Sequence, residues 1–373
     1  MSPCEIELIN LLNQMALKTF PGLTMAIGKG DKTIWQHGVG YADAENKIKN
    51  NPEMIFGIGS ITKIFVAVLI LQLNEENYLT LDEPISTWLD KNVLADVANA
   101  ESVTVRHLLS HYSGIPSWED QHSWIHDARG KRVKPEKIWL PQENLDYIRG
   151  KKPLCAPGEA FHYSNSNFTL LGLLIEKLTS NSLEEELYKR IINPLLLKST
   201  SLESVASLEN QYSSKRFHRL DLHFIKKAGV SDYFKIEPNN ILDVSAINLS
   251  VEWAAGGIVS TAQDVVNFIL ALKNGELLNP KSMKEMQQWM PADNAEMGLS
   301  LFRMDTDYGT AIGHGGNVLG ASACVWWYEK TNCALAILTN VGSMHASPEA
   351  HCASTIFKNA EVGKLAQEIC SYY

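Results

Sequence analysis

The sequence has no apolar run of 18 residues, no Cys-x-x-Cys pair, no low-complexity linker, no internal repeat and no excess of basic residues. Each absence removes a class of function. Without a long apolar run, no membrane-spanning helix is expected. With 33 Lys and Arg against 42 Asp and Glu, a formal net charge of −9, the chain lacks the basic face that a general nucleic-acid binder needs. Its six cysteines (Cys4, Cys155, Cys324, Cys333, Cys352 and Cys370) form neither a metal-type pair nor a dense framework. Free thiols are expected, as reducing compartments favour. The first stretch, MSPCEIELINLLNQMALKTFPG, has no basic segment and is interrupted by Glu5, Glu7 and Asn10. It reads as an amphipathic helix, not a signal peptide. On that reading the chain as it stands is cytoplasmic; a periplasmic or secreted protein with its signal removed is the alternative. The stretch GKGD from Gly28 to Asp31 is followed by no Lys-Ser/Thr, so it is a hairpin turn and not a phosphate loop.

What is present is core material. The chain has 373 residues, 45% of them hydrophobic and 20% charged, enough for two lobes or one domain with a large insertion. TMAIGK and KTIWQHGVG flank the Gly30-Asp31 turn and predict a hairpin. The stretch from Phe56 to Leu71 is apolar on nearly every side, which predicts a buried helix. SLEEELYKRIINPL carries Ser182 three before Glu185, a capping-box spacing, and Pro194 past its end. STAQDVVNFILAL predicts a helix capped at Thr261. The segment from Trp118 to Pro141 mixes Trp118, Trp124 and Trp139 with charges, without a clean period, and is expected to be a long surface excursion. MGLSLFRM, GTAIGHGG, GASACVWWYE and CALAILTN run at strand length between short polar turns, an antiparallel meander. Joining that meander to the N-terminal hairpin gives an α+β fold. Residues 1–80 and 251–373 form a sheet lobe flanked by helices, residues 81–250 a mainly helical lobe, and the active site lies in the cleft between them.

The sharpest local feature is FGIGSITKIFVAV, where Ser60 and Lys63 stand three apart in a buried helix. At that spacing the two side chains share a face. Burial disfavours the ammonium, and a neutral amine beside a serine can take the hydroxyl proton and activate the oxygen. Two further stretches could complete a site. APGEAFHYSNSNF places Tyr163 and Asn165 just ahead of an apolar helix. A phenol near an ammonium can ionise in part and shuttle protons, and an amide can hold a substrate carbonyl or the lysine. GHGGNVLG puts His314, Gly315 and Gly316 on a strand whose edge N–H groups are open to a substrate backbone. The pairs His107/His111 and His122/His126 have helical i, i+4 spacing but no third ligand at a convincing spacing, so no metal site is expected.

In the order Ser-x-x-Lys, Tyr-x-Asn, His-x-Gly, the chain resembles the serine β-lactamase and penicillin-binding protein superfamily, on the side of class C β-lactamases, DD-carboxypeptidases, D-aminopeptidases and esterases. TLDEPISTWL, TVRHLLSHYSGIP and AAGGIVSTAQDVVNF carry the likeness across most of the chain. The resemblance implies Ser60 as acylated nucleophile, Lys63 as its proton acceptor, Tyr163 as shuttle to the leaving group and Asn165 as partner for the substrate amide. It places His314, Gly315 and Gly316 in the substrate-binding strand and the backbone N–H groups of Ser60 and Asn317 in the oxyanion hole. It implies no cofactor. The departure is the third motif, His-Gly-Gly in place of Lys-Thr-Gly: His314 is only partly charged near neutral pH, and Gly315 has no hydroxyl. A substrate carboxylate therefore loses its fixed cation. The expected function is a serine hydrolase acting on amide, ester or lactam carbonyls of a small molecule or short peptide. A D-amino-acid-directed peptidase or amidase, or a β-lactamase-related hydrolase, leads. A carboxylesterase or acyltransferase on the same site, and a non-catalytic penicillin-binding-like protein, are the alternatives. The sequence does not determine the oligomeric state.

Overall fold

The structure, a computed structural model, describes residues 1–203 and 213–373. Helix α1 (Pro3–Lys18) opens it, with Ser2 and Glu5 forming a reciprocal capping box and Pro3 in the first turn. The expected hairpin follows as β1 (Gly22–Lys29) and β2 (Lys32–Asp43), edged by β3 (Ile48–Lys49). The chain rejoins this sheet far downstream as β4 (Met290–Ala292), β5 (Ala295–Met297), β6 (Phe302–Thr306), β7 (Gly309–Val318), β8 (Ala321–Tyr328) and β9 (Cys333–Thr339). The order across the sheet is β4-β5-β6-β7-β8-β9-β1-β2-β3. β1 and β9 close it antiparallel, with Leu23 opposite Thr339 and Lys29 opposite Cys333. This is the expected α+β fold.

Alternation along β8 explains the layering. Ala323, Val325 and Trp327 belong to the core shared with helices α2 (Thr62–Glu75), α3 (Asn165–Thr179) and α4 (Ala262–Lys273). Cys324, Trp326 and Tyr328 belong to the opposite core, under α1 and the C-terminal helix α5 (Ala360–Tyr372). Successive strand side chains point to opposite faces, so one apolar run serves both layers. The period-less apolar character of α2 has the same kind of cause. Every residue from Thr62 to Leu71 is buried, because the helix is enclosed by α3, α4 and the Trp253–Gly256 turn of helix. Ser182 and Thr261 cap their helices as their spacing predicts.

Four expectations need correction. The first half of the Trp118–Pro141 stretch is no surface excursion, whereas Lys131, Arg132, Lys134, Glu136, Ile138 and Leu140 in its second half are exposed. Trp118 and Trp124 are fully buried, and their indole N–H groups donate to Thr169 Oγ1 at 3.1 Å and Asn144 Oδ1 at 2.8 Å. The broken period of that first half reflects short turns packed against α3. Cys333 and Cys370 are disulfide-bonded, tying the start of β9 to α5, while Cys4, Cys155, Cys324 and Cys352 remain thiols. Met297 to Met304 is not one strand: the chain leaves the ladder between β5 and β6. The middle region also contains strands. Phe217–Arg219, Lys235–Glu237 and Ile241–Asp243 form a small sheet completed by Val341–Gly342. Among the described residues, no helix is long and apolar enough to cross a membrane.

Candidate active site

Ser60 sits in a single tight turn, Gly59–Ile61, that feeds directly into α2. Lys63, one turn on, is fully buried, and its Nζ donates to Ser60 Oγ at 3.0 Å and to the Ala255 carbonyl at 2.6 Å. The amine also lies 5.1 Å from the centre of the Tyr163 ring and 5.3 Å from that of Phe168. Burial pulls its pKa from the usual lysine value down to about 7, against the opposing pull of Glu119 and Glu252. A large fraction of the amine is therefore neutral near pH 7, the state that can accept the Ser60 proton.

The turn ahead of α3 brings in Tyr163 and Asn165. It is pinned from two sides: Ser164 N–H donates to His111 Nδ1 at 3.0 Å, and Asn165 N–H to Ser117 Oγ at 3.1 Å. His111 occupies left-handed backbone (φ 61°) and lays its ring on Tyr163, centroids 4.1 Å apart. Burial, then Lys63 and His314, hold the His111 pKa well below the usual value, so this ring is neutral and accepts at Nδ1. Burial also pushes the Tyr163 phenol well up, with only the neighbouring Ser60 hydroxyl pulling it back. Burial thus disfavours the partial ionisation expected for this phenol and favours Tyr163 as a protonated donor. Asn165 does not bond Lys63. Its Nδ2 donates to Glu119 Oε2 at 2.5 Å.

β7 supplies the third side. β6 stops pairing at Phe302 opposite Gly313, while β7 runs on to Val318 beside β8. Glu329 N–H donates to the Thr310 carbonyl at 3.2 Å, which fixes the alternation of the ladder. Thr310, Ile312, His314, Gly316 and Val318 bond toward β8, so Gly315 and Asn317 direct their backbone groups to the edge that β6 has vacated. That edge lies against the Ser60 turn. A Cβ on Gly316 would fall 1.9 Å from the Ile58 carbonyl oxygen and 3.1 Å from Ser60 N, and one on Gly59 (φ 54°) 2.6 Å from Asn317 N. Only glycine permits this approach. It brings the N–H groups of Ser60 and Asn317 together, and that of Ser60 is among the first of its helix, which have no partner within it.

The strand's alternation also separates the motif residues. His314 shares the site face with Ile312. Gly315 points to the opposite face, where a Cβ would meet Ser354 Oγ at 3.2 Å, and the Asn317 side chain turns to Ser343 Oγ at 2.7 Å. Gly315 and Asn317 therefore offer the site only backbone. His314 is buried between Phe302 and Tyr163, centroids 5.0 and 6.1 Å away. Burial, reinforced by Lys63, drops its pKa to about 3. The partial charge expected of it is absent: this ring is neutral across the physiological range.

Three charged residues of the site were not legible in the sequence. Arg129 and Glu252 are buried and Glu119 nearly so beside Lys63, with Arg129 Nη2 3.0 Å from Glu119 Oε1 and 2.6 Å from Glu252 Oε1. Burial pushes both carboxyls up and Arg129 pulls both down. Arg129 and Glu119 lie in the tryptophan-rich stretch whose burial was itself unread, and the charge-bearing pattern E-x9-R carries no local signal. Among the described residues, no group of His, Cys, Asp or Glu side chains could hold a metal ion. The His122 and His126 rings lie tilted to each other, centroids 4.4 Å apart. Several buried polar atoms here lack a hydrogen-bond partner among the described residues: Ser164 Oγ, Asn165 Oδ1, His111 Nε2 and His314 Nε2.

Comparison with known proteins follows the same lines. A family profile described as Beta-lactamase matches residues 11–351. The putative penicillin-binding protein PbpX of Bacillus subtilis (strain 168) is 25% identical over 351 residues, 94% of this chain and 74% of that protein. Protein flp of Staphylococcus aureus (strain MW2) is 30% identical over 195 residues, 52% of this chain but only 36% of flp's length. Among solved structures, the D-amino acid amidase of Ochrobactrum anthropi SV3, complexed with L-phenylalanine amide, superposes with a TM-score of 0.82 at 26% identity, covering 98% of this chain and 99% of that one. The D-stereospecific amidohydrolase from a Streptomyces species gives 0.77 at 27% identity, covering 90% and 94%.

Proposed function

The chain belongs to the beta-lactamase family, and on that premise we propose that it is a serine hydrolase that forms an acyl-enzyme at Ser60 on small amides or esters without a neighbouring carboxylate, D-amino-acid amides foremost. The observation that carries the reading is the 3.0 Å contact of Lys63 Nζ with Ser60 Oγ in a fully buried setting that frees the amine of its proton near pH 7. Ser60 Oγ attacks the carbonyl carbon and its proton passes to Lys63 Nζ. The carbonyl oxygen, now negative, lies between the N–H groups of Ser60 and Asn317, donors fixed in place before the reaction. Tyr163 Oη gives its proton to the departing nitrogen or oxygen and is refilled from the Lys63 ammonium. The bond to the leaving group breaks, and the acyl ester on Ser60 remains. Water then replaces the leaving group, and the same protons travel back.

The substrate class rests on charge. The neutral His314 ring stands where a cation would meet a carboxylate, and Arg129 is committed to Glu119 and Glu252. Asn165 Oδ1, unpartnered among the described residues, is an acceptor for a substrate amide N–H or amino group. The likeness to a D-amino acid amidase and a D-stereospecific amidohydrolase supports the same class.

Intact-protein mass spectrometry tests the nucleophile. Wild type and Ser60→Ala are each incubated with a fluorophosphonate, a penicillin and p-nitrophenyl acetate, and turnover of D- and L-phenylalanine amide is followed in parallel. The expected result is a stoichiometric fluorophosphonate adduct absent from Ser60→Ala, with the D-amide turned over faster than the L-amide. No adduct on a folded wild type refutes the acyl-enzyme. An adduct with penicillin turned over faster than either amide refutes the substrate class.

A further inference from the structure

We infer that Arg129 is a positioning residue for the reacting pair: it binds the Glu119 and Glu252 carboxylates beside Lys63 and through them holds the Tyr163–Asn165 turn and the Ala255 carbonyl about the amine. The inference rests on the reading of Ser60 and Lys63 as nucleophile and base.

The geometry is a bridge between two arms. Arg129, at the end of the His122–Ala128 helix, is fully buried, with its guanidinium 5.3 Å from the Trp124 ring centre. Its Nη2 contacts Glu119 at 3.0 Å and Glu252 at 2.6 Å. On the first arm, the other oxygen of Glu119 receives Asn165 Nδ2 at 2.5 Å, which fixes the start of α3 two residues past Tyr163. On the second, Glu252 stands just before the Trp253–Gly256 turn of helix, and its carbonyl accepts the Ala255 N–H at 2.8 Å. The Ala255 carbonyl in turn accepts Lys63 Nζ at 2.6 Å. Arg129 thus reaches both sides of the lysine through other residues.

Charge gives this bridge a consequence beyond rigidity. The groups acting on Lys63 are Glu119 from the Trp118–Asp120 turn and Glu252 ahead of its helix, with Tyr163 ahead of α3, His111 after the Val105–Leu109 helix and His314 on β7 around it. Both imidazoles and the phenol are held neutral by burial, so among the described residues the two carboxyls oppose deprotonation of the amine. Arg129 adds a second positive charge to a cluster whose two carboxyls burial pushes up, Glu119 to about 7. Without it, two buried carboxylates would share one ammonium and hold its proton. The base would then be blocked at the pH where it is needed.

The test uses the full chain as wild type, Arg129→Met, Arg129→Lys and the double variant Arg129→Met/Glu252→Gln, with circular dichroism and thermal melts to establish folding. The readout is the rate of Ser60 acylation by a fluorophosphonate from pH 5.5 to 9. The acid limb of Arg129→Met should move up by about one pH unit, so that its rate falls about fivefold at pH 7 and less than about twofold at pH 9. The double variant, which removes one negative charge with the positive one, should return the limb to its wild-type position, and Arg129→Lys should leave it there. If Arg129→Met does not fold, Glu252→Gln alone, which should move the limb down, is compared with the double variant, which should bring it back up; limbs that coincide in the two overturn the inference. A folded Arg129→Met with an unmoved limb overturns the inference. So does a loss equal at every pH that Glu252→Gln does not restore, which is what a merely structural arginine would give. Wild type that fails to acylate at all overturns the Ser60 reading and this inference with it, an outcome distinct from either of those.

Discussion

If Lys63 is the base, the rate of acylation must follow the neutral fraction of one buried amine. Burial brings its pKa to about 7. The neutral form then makes up about a tenth of the population at pH 6, half at pH 7 and nine-tenths at pH 8, where an ordinary lysine would offer less than about one part in a thousand at pH 7. The burst of p-nitrophenol from p-nitrophenyl acetate, followed by stopped flow, should therefore rise about tenfold from pH 6 to pH 8 and level off above. The sign is that of a base: activity is lost as pH falls through the limb. His111 and His314 sit too low to produce it. Glu119 and Glu252 are coupled to the lysine, so the observed midpoint belongs to the cluster. The assignment to Lys63 comes from Lys63→Arg, which cannot give up its proton and should lower the burst rate by about 10²–10⁴-fold at every pH. A burst rate flat from pH 5.5 to 8.5, or Lys63→Arg within about tenfold of wild type, would refute the reasoning.

Three further outcomes follow from the same geometry. Tyr163→Phe should fold normally, because the lost hydroxyl has only the Ser60 hydroxyl acting on it as a hydrogen-bond partner, yet lose about 10²-fold or more in amide turnover, where the leaving group needs a proton; turnover near wild type would remove Tyr163 from the relay. Gly316→Ala places a methyl 1.9 Å from the Ile58 carbonyl oxygen. It should cost about 1–3 kcal/mol in urea unfolding and sharply slow fluorophosphonate labelling, whereas unchanged labelling would mean that β7 does not set the oxyanion donors. Denatured without reductant, the protein should show four reactive thiols to a maleimide, since Cys333 and Cys370 are bonded. The Cys333→Ser/Cys370→Ser pair, releasing a 37-residue closure, should lower stability by up to about 4 kcal/mol while leaving Ser60 labelling intact; six thiols would refute the bond.

What was legible in the sequence was whatever a short window carries. Ser60 and Lys63 are one helical turn apart, so their meeting is decided locally. The hairpin turn at Gly30, the caps at Ser182 and Thr261 and the meander from β6 to β9 are equally local. Glu119, Arg129 and Glu252 were illegible because their juxtaposition depends on the packing of a stretch with no period. A window centred on Trp118 sees charges among tryptophans and reads a wet loop, while the fold places Trp118 and Trp124 under α3. The thiols failed similarly. Cys333 and Cys370 meet only after β9 and α5 have docked, 37 residues apart. The ionisation of His314 and Tyr163 was misread for a related reason: charge depends on burial, and burial is a property of the packed chain.

The third motif shows how these levels combine into selectivity. Alternation along β7 gives side-chain access to the site only at positions 314 and 316, and position 316 is closed to anything larger than glycine by the Ser60 turn. His314 is therefore the one side chain through which this strand can speak to a substrate, and its burial keeps it neutral. Among the described residues, the cations that remain near the reacting centre are Lys63, which must become neutral to work, and Arg129, paired with two carboxylates. A substrate carboxylate entering here would face Glu119 and Glu252 without a compensating charge, at a cost that low dielectric amplifies. An amino group or a neutral amide would not. Preference for amino-acid amides over carboxylate-bearing substrates is thus what the charge inventory of the cleft favours, and replacing His314 with lysine is the single change that should weaken it, by giving an incoming carboxylate the cation it now lacks.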